Sequence, residues 1–296
     1  MKPFDWLRKR LGSKPSNTAL EPAADLPHTT YTFPDIALPG NVGAITIGSA
    51  QSTGIERNHN EDSLLVFLGN AGGYASIPTF GLFVVADGMG GHRAGEVASS
   101  VSVRSVTHRL MEEVFIRLFN HEMLDDMPPI QDIMRAALED ANRHVVDVVP
   151  GGGTTLTTAV MLGQQLTIGH VGDSRAYMIE DGVFKLLTRD HSLVERLREL
   201  GQLSKEEAEN HPQRNVLYRA IGQGESLEVD VDTYHMPQAA DLLICSDGLW
   251  GVVEEEDISN IILSAKTPQA ACERLISAAN EAGGPDNITA VLVHFP

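Results

Sequence analysis

The chain has 296 residues, 42% of them hydrophobic, which is enough to bury a large core in one domain or two small ones. Its 40 acidic residues against 22 basic ones give a net charge of −18, which disfavours a nucleic-acid partner because the phosphates would be repelled. The two cysteines fit neither a disulfide framework nor a zinc site, and no apolar run is long enough to span a membrane, so a reducing, cytoplasmic location is expected.

The first forty residues differ in composition from the rest. Residues 1–12 are basic and mildly amphipathic, so they could contact an anionic membrane or a partner. A frayed tail is the favoured interpretation, because the segment is short and has Pro3 near its start. Residues 13–40 contain five prolines among Ser, Ala and Thr, which is typical of a linker. We therefore expect a basic tail and Pro-rich linker over 1–40 and one folded domain over 41–296.

Beyond residue 41 the sequence predicts runs of strands interrupted by pairs of helices. The predicted strands are 44–49, 63–68, 80–86, 156–162, 165–170, 175–180, 183–187, 227–234, 241–245 and 287–295, with a hairpin turn at Asp181-Gly182. The predicted helices are 94–119, 130–149, 257–265 and 268–282, with two short helical patches at 193–200 and 205–210 in a polar excursion. Because strands come in runs, we expect an α+β fold of packed sheets flanked by helix pairs rather than a doubly wound sheet.

Acidic residues recur at the ends of the predicted strands. The apolar strand 80–86 leads directly into Asp87, which begins a glycine-rich turn, and a lone carboxylate there is costly to bury unless it is paired or binds a metal. Similar positions are taken by Asp173, Asp247, Asp286 and the pair Glu61-Asp62.

Five such places in one sheet protein are hard to explain as turns alone, although any single Asp-Gly is more often a turn than a ligand. Oxygen ligands without His or Cys companions suit Mg²⁺ or Mn²⁺ rather than zinc. Two such cations can lower the pKa of a shared water and assist an in-line displacement at phosphorus. The acids therefore predict a divalent-cation site with phosphate chemistry as one use.

Eight short motifs follow one another in a fixed order across residues 43–295. They are RNHNED at 57–62, ADGMGGH at 86–92, GTT at 153–155, HVGDSRAY at 170–177, TRDHS at 188–192, NVLYRAIG at 215–222, SDGLW at 246–250 and GPDNIT at 284–289. Together they resemble the metal-dependent protein phosphatase family (protein phosphatase type 2C), in its bacterial serine/threonine phosphatase branch. The resemblance implies two mostly antiparallel β-sheets packed as a sandwich and flanked by α-helix pairs on both sides, a four-layer α/β/β/α fold, with a flap at about 192–214.

The resemblance also implies roles for individual residues. Asp87 would bridge two Mn²⁺ or Mg²⁺ ions, and Arg57 would bind the substrate phosphate, for which a planar bidentate donor suits the geometry. The other implied metal-site residues are the Gly88 carbonyl, Asp247 and Asp286, Glu61 and Asp62 acting directly or through water, and Asp173 at a third, weaker site. The alternative for Arg57 is a salt bridge to Glu61 or Asp62, four or five residues away.

The implied reaction is in-line attack of a metal-activated water on phosphorus, without a phosphoenzyme. Consistent with this, neither Cys245 nor Cys272 has the Arg spacing of a cysteine phosphatase loop, and the GGGTT turn at 151–155 lacks the Lys of a P-loop. Met89 stands where animal members typically carry a His proposed as general acid, so the general acid stays open, with a metal-bound water as the default. His92 and His170 are expected to be structural.

The leading hypothesis is therefore a metal-dependent phosphoserine/phosphothreonine protein phosphatase. Its expected partners are phosphorylated Ser/Thr proteins, including a cognate eukaryotic-like Ser/Thr kinase, and it is expected to be a monomer. The alternatives are a catalytically weak regulatory module on the same fold, a phosphatase of a partner-switching stress cascade, and a small-molecule phosphatase. Loss of ligand residues would indicate the regulatory module, and none is visible in the sequence.

Overall fold

The computed structural model of the protein describes residues 31–32, 36–37, 45–71, 77–90, 93–120, 127–237 and 239–296. The basic segment 1–12 and His92 lie outside the described residues, as does most of the predicted linker. Two short strands do fall within that linker: β1 (Tyr31–Thr32) and β2 (Ile36–Ala37), both antiparallel to β3 (Thr46–Ser52). The segment before residue 41 is thus not all linker, since short strands at a sheet edge tolerate the prolines around them.

Two antiparallel sheets form the centre of the fold. Their remaining strands are β4 (Ser63–Ala71), β5 (Ile77–Ala86), β8 (Leu156–Leu162), β9 (Gln165–Val171), β10 (Arg175–Glu180), β11 (Val183–Leu186), β12 (Asp230–His235), β13 (Ala240–Cys245) and β14 (Ile288–Phe295). The larger sheet has the order β1-β3-β14-β13-β10-β11, with β2 also paired to β3, and the smaller has the order β12-β9-β8-β5-β4. A separate two-stranded ribbon joins β6 (Gly88–Met89) to β7 (Gly153–Thr154), and the sequence did not predict it.

Several of the helices begin at a residue whose side chain caps the helix. The helix bounds are α1 (Arg93–Leu110), α2 (Ile130–Val148), α3 (Leu193–Glu199), α4 (Lys205–Glu209), α5 (Asp247–Trp250), α6 (Glu255–Ser264) and α7 (Pro268–Glu281). The hydroxyl of Thr267 accepts from the Ala270 N–H at the start of α7, and Ser204 forms a capping box with Glu207 at the start of α4. After α1 the predicted single helix changes into a π-helical turn, Met111–Phe115, and a last α-helical turn, Ile116–Leu118.

Three apolar clusters separate four layers. Strand β5 shows why its sequence is continuously apolar: Leu82 and Val84 face one cluster, shared with α1 and α2, while Phe83 and Val85 face the cluster between the two sheets. The third cluster lies between the larger sheet and helices α6 and α7. A strand buried on both faces cannot alternate polar and apolar residues. The predicted four-layer α/β/β/α sandwich with a helix pair on each side is confirmed.

Among the described residues, no helix combines the length and the apolar character needed to cross a membrane.

Candidate active site

The predicted acids meet at one end of the sandwich because the strand register places them there. Ala86 pairs with Ser63, Leu156 with Val171, and Arg175 with Cys245. Asp87 follows Ala86 directly, and Asp173 and Asp247 lie two residues beyond the pair of Arg175 and Cys245. These acids come from the ends of both sheets, and they line a cavity of about 590 Å³. The predicted site residues that line it are Arg57, Glu61, Asp87, Gly88, Asp173, Asp247 and Asp286.

The Asp87 turn is held by two threonines of the GGGTT segment. The Asp87 N–H donates to Thr155 Oγ1 at 2.9 Å, and the Asp87 carbonyl accepts from Thr154 Oγ1 at 2.7 Å and from the Thr155 N–H at 2.8 Å. The Thr155 hydroxyl is also 2.7 Å from that of Ser174, next to Asp173. These bonds occupy the backbone of Asp87 and leave its carboxylate facing the cavity, a positioning role that the sequence motif did not reveal.

Replacing Thr155 by Val is expected to destabilise the fold by about 1–3 kcal/mol and to lower phosphatase activity by about 10–100-fold. Valine has nearly the same shape, but it leaves the Asp87 N–H without its acceptor. The matched control is Thr158→Val, because the Thr158 hydroxyl is buried with no hydrogen-bond partner among the described residues and its loss should be neutral or stabilising. Thermal melting and phosphate release measure both effects, and equal behaviour of the two variants would contradict the prediction.

Gly88 stands where three chain segments converge. A Cβ at this position would lie 2.4 Å from the carbonyl oxygen of Gly95 in α1 and 2.5 Å from that of Glu61. No side chain fits at those distances, so glycine is required by the close approach rather than by the turn alone.

Arg57 binds an acid that is distant in the sequence. Its Nη2 lies 2.8 Å from Oδ2 of Asp286, and half of the Arg57 side chain is exposed at the mouth of the cavity. The predicted alternative of a salt bridge to Glu61 or Asp62 is therefore wrong in its partner, because the turn before β14 brings Asp286 closer. Asn287 holds this arrangement by accepting from the Glu61 N–H and donating to the carbonyl oxygens of Thr53 and His59.

Glu61 and Asp62 have different surroundings. Glu61 lines the cavity, with its Oε1 3.5 Å from Nε2 of His59. Asp62 is 7% exposed and does not line the cavity, and its Oδ2 accepts from the hydroxyls of Ser246 at 2.9 Å and Thr289 at 2.6 Å. Burial raises the pKa of Asp62 to about 7, although the two hydroxyls oppose the shift. Asp62 thus lies behind the cavity wall and links three of the motifs.

The carboxylates of the cavity repel one another. Burial, and then the negative charges of Asp62 and Asp247, hold the pKa of Asp87 well above its usual range. Burial and Asp247 do the same to the pKa of Asp173, and burial and Asp286 raise the pKa of Asp247. Bringing these groups together as anions costs free energy that a cation between them would offset.

The donor set fits hard divalent cations. The Asp247 Oδ1 atom is buried and has no hydrogen-bond partner among the described residues. Within the part of the chain that the structure describes, no group of three His, Cys, Asp or Glu side chains is arranged to hold a metal ion by itself. Mg²⁺ typically keeps several water ligands and takes only one or two carboxylates from the protein, so carboxylates spread along a cavity wall suit it better than a closed cage would.

The Asp173 turn is fixed by an aromatic residue of another motif. The indole Nε1 of Trp250 donates to the Asp173 carbonyl at 3.1 Å, and the guanidinium of Arg175 lies 3.5 Å from the centre of the Trp250 ring. Arg175 in turn makes a bidentate salt bridge with Asp190.

His170 is buried in the same region, where its ring nitrogens contact the Thr157 hydroxyl and the carbonyl oxygens of Gly172 and Arg189, and burial lowers its pKa to about 3. The predicted structural role of His170 agrees with these contacts.

Comparisons with known proteins agree with this geometry. The profile of the family described as "Protein phosphatase 2C" matches residues 58–291. The chain is 39% identical over 246 residues to the serine/threonine phosphatase stp of Listeria monocytogenes serovar 1/2a, covering 80% of this chain and 90% of that protein. It also resembles a solved serine/threonine phosphatase of S. agalactiae, with a TM-score of 0.73, 33% identity, and coverage of 85% of this chain and 100% of that one.

A further solved relative bears on the cations. The catalytic domain of the serine/threonine protein phosphatase PstP, solved in complex with two manganese ions, matches with a TM-score of 0.66 and 30% identity over 84% of this chain and 97% of its own. The family profile spans well over half of the chain, and the relatives are covered almost completely. The chain therefore belongs to the protein phosphatase 2C family, as its eight motifs predicted.

Proposed function

We propose that the acidic cavity is the catalytic site at which this metal-dependent serine/threonine phosphatase hydrolyses phosphoserine and phosphothreonine in proteins. The observation that carries the proposal is the convergence of Asp87, Asp173, Asp247 and Asp286 with the half-exposed Arg57 around one cavity. Four carboxylates repel a phosphate unless cations lie between them and the phosphate. The guanidinium of Arg57 at the mouth of the cavity offers the phosphate a fixed binding point.

Mn²⁺ or Mg²⁺ is the cofactor of the family reaction, and the residues present fit it. Asp87 would contribute to both of two cation sites, with the Gly88 carbonyl joining one of them and Asp247 and Asp286 holding the other. Asp173 would serve a third, weaker site, and Glu61 would act at the cations directly or through water. When bound, the cations activate water for attack on phosphorus and neutralise the phosphate charge. Asp62 would instead support the turn that carries Asp247 from behind the cavity wall, through its hydrogen bonds from Ser246 and Thr289.

The chain's own contribution is to orient the phosphate and exclude other chemistry. Arg57 would exchange its bond to Asp286 for two bonds to phosphate oxygens, which aligns the ester for in-line displacement. Met89 lines the cavity but cannot donate a proton, so the proton for the leaving oxygen does not come from this side chain. The two cysteines are buried, and burial raises the pKa of Cys245 to about 12, which leaves no reactive thiolate there.

The test is hydrolysis of a phosphothreonine peptide by the full chain with Mn²⁺ and with a chelator. Turnover is expected with Mn²⁺ and should fall to background when the cation is removed, then return when Mn²⁺ is added in excess. Phosphate release by a colorimetric assay measures it. Turnover that is unchanged by the chelator, or its absence under both conditions, would overturn the proposal.

Replacing Arg57 by Lys is expected to raise the KM for the phosphopeptide by about tenfold or more, because an ammonium group cannot form the bidentate contact. Arg57→Ala should raise it further, with a smaller change in kcat if the cations alone stabilise the transition state. Steady-state kinetics at saturating Mn²⁺ measures both constants. A KM unchanged in both variants would show that Arg57 serves only its salt bridge to Asp286.

The cellular setting is part of the same proposal. The substrates would include a cognate Ser/Thr kinase, which the phosphatase would oppose in signalling. The chain's two buried cysteines, Cys245 and Cys272, are compatible with a reducing cytoplasm. The protein would act as a monomer. A regulatory module without activity is not favoured, because all four aspartates line the cavity and the matched relatives are phosphatases.

A further inference from the structure

His191 lies where the base of the flap meets the turn that carries Asp173. Its backbone N–H donates to the Gly172 carbonyl at 2.7 Å, and the Gly172 N–H donates to His191 Nδ1 at 3.0 Å. Gly172 has a φ of +113°, a conformation that strongly favours glycine, and it directly precedes Asp173. The reciprocal pair of bonds therefore fixes the backbone that aims the Asp173 carboxylate at the cavity.

The other side of the same ring binds strand β12. Because Nδ1 accepts a hydrogen bond from a backbone N–H, the proton of the neutral ring is on Nε2. Nε2 lies 3.1 Å from Asp230 Oδ2 and 3.1 Å from Arg219 Nη1. With the proton on Nε2 the ring donates to Asp230, and the Arg219 Nη1 proton goes to Asp230 Oδ1 at 2.8 Å. The hydrogen bond from His191 is the main cause that lowers the pKa of Asp230 to about 2, so this carboxylate is ionised at neutral pH.

The flap returns to the body of the protein at the same place. The Tyr218 N–H donates to the His191 carbonyl at 2.9 Å, and the Leu193 N–H donates to the Val216 carbonyl at 2.8 Å. Leu217, between these bonds, lines the catalytic cavity. Arg219 immediately follows Tyr218, so its bond to Asp230 secures the returning strand of the flap.

We propose that His191 is a positioning residue that couples the flap to the Asp173 turn. Its Nδ1 holds the Asp173 turn in place, and its Nε2, through Asp230 and Arg219, holds the base of the flap. The alternative is a histidine that only packs in the core, since His191 is 0% exposed and its ring centre lies 5.0 Å from that of His170, with the two rings tilted by 40°. A packing role would not make the two ring nitrogens serve separable functions. The catalytic meaning of the coupling rests on the proposed function.

Two substitutions separate the two nitrogens. The side-chain oxygen of Asn can take the place of Nδ1, so His191→Asn keeps an acceptor for the Gly172 N–H but loses the donor to Asp230. The longer Gln can place its amide near Nε2, so His191→Gln keeps the donor to Asp230 but loses the acceptor for Gly172. Asp230→Ala removes the carboxylate that links His191 to Arg219 at the base of the flap, and it leaves the His191 ring unchanged. Three measurements are made on each variant. They are the amide exchange of Gly172 followed by NMR, a Mn²⁺ titration by calorimetry, and the KM and kcat for a phosphopeptide and for p-nitrophenyl phosphate.

We expect His191→Asn and Asp230→Ala to keep Gly172 protected from exchange and to keep the Mn²⁺ titration within about twofold of wild type. Both should raise the KM for the phosphopeptide by about tenfold while leaving that for p-nitrophenyl phosphate nearly unchanged, because only the larger substrate needs the flap. His191→Gln should do the opposite: it should lose Gly172 protection and weaken the lowest-affinity Mn²⁺ site by about tenfold.

Equal effects of Asn and Gln on all readouts, or no effect of either, would overturn the coupling and leave His191 as a packing residue. The failure of the proposed function looks different. A wild-type protein that does not hydrolyse the phosphopeptide would refute that function, while the Gly172 exchange and the Mn²⁺ titration would still decide whether the two ring nitrogens act separately.

Discussion

Asp87→Asn is expected to reduce phosphopeptide turnover by about a thousandfold or more, equivalent to about 4 kcal/mol of lost transition-state stabilisation. The amide keeps the shape of the side chain and the backbone bonds to Thr154 and Thr155, but it removes the one charge assigned to both cation sites. The same change should raise the thermal midpoint of the metal-free protein, because it removes an acid whose ionisation is opposed in the folded state by burial and then by Asp62 and Asp247. Phosphate release and melting curves measure the two effects.

Asp181→Asn is the matched control. Asp181 also precedes a glycine at the end of a strand, but it has a φ of +50° in the hairpin between β10 and β11, and Asn is readily accepted in such a turn. This variant should keep both the activity and the melting temperature of the wild type. If Asp87→Asn retained more than a tenth of the activity, or if Asp181→Asn lost it too, the assignment of Asp87 to the cation sites would fail.

The contrast between these two Asp-Gly pairs shows how far the sequence could lead. The local sequence pattern was enough to predict the hairpin at 181–182 and the bounds of β8 and β10. It also predicted strand β5, whose burial on both faces follows from its unbroken apolar run. The recurrence of acids at strand ends predicted the cavity, since antiparallel registers bring those ends together. These features depend on short-range chemistry repeated along the chain.

Features that depend on contacts between distant residues could not be predicted in the same way. Arg57 binds Asp286, 229 residues away, rather than its neighbours Glu61 and Asp62. The hydroxyl of Thr155 and the amide of Asn287 look ordinary in the sequence, and their roles appear only when three segments meet. Asp62 resembles a cation ligand by its position in a motif, whereas the fold places it behind the cavity wall, bonded to Ser246 and Thr289.

The repulsion among the buried acids leads to a second large effect, a reversal of the pH dependence of stability by Mn²⁺. Without metal, the folded state holds protons on Asp62, with its pKa raised to about 7, and on Asp87 more tightly than the unfolded chain does. Stability from such groups is present at low pH and is lost as pH rises through the folded pKa values. The metal-free protein should therefore melt about 2–5 °C higher at pH 6.5 than at pH 8.

With saturating Mn²⁺ the order should reverse, because the cations bind only deprotonated carboxylates and stabilise the fold more as pH rises. The comparison stops at pH 6.5, since below it the unfolded chain protonates His170, whose folded pKa is lowered to about 3, and this opposes the gain. Asp62→Asn keeps an acceptor for the hydroxyls of Ser246 and Thr289. In the metal-free protein it should therefore weaken the dependence of the melting temperature on pH and raise the melting temperature at pH 8. Parallel curves with and without Mn²⁺ would show that the acids of this cavity are not the groups that bind the cations.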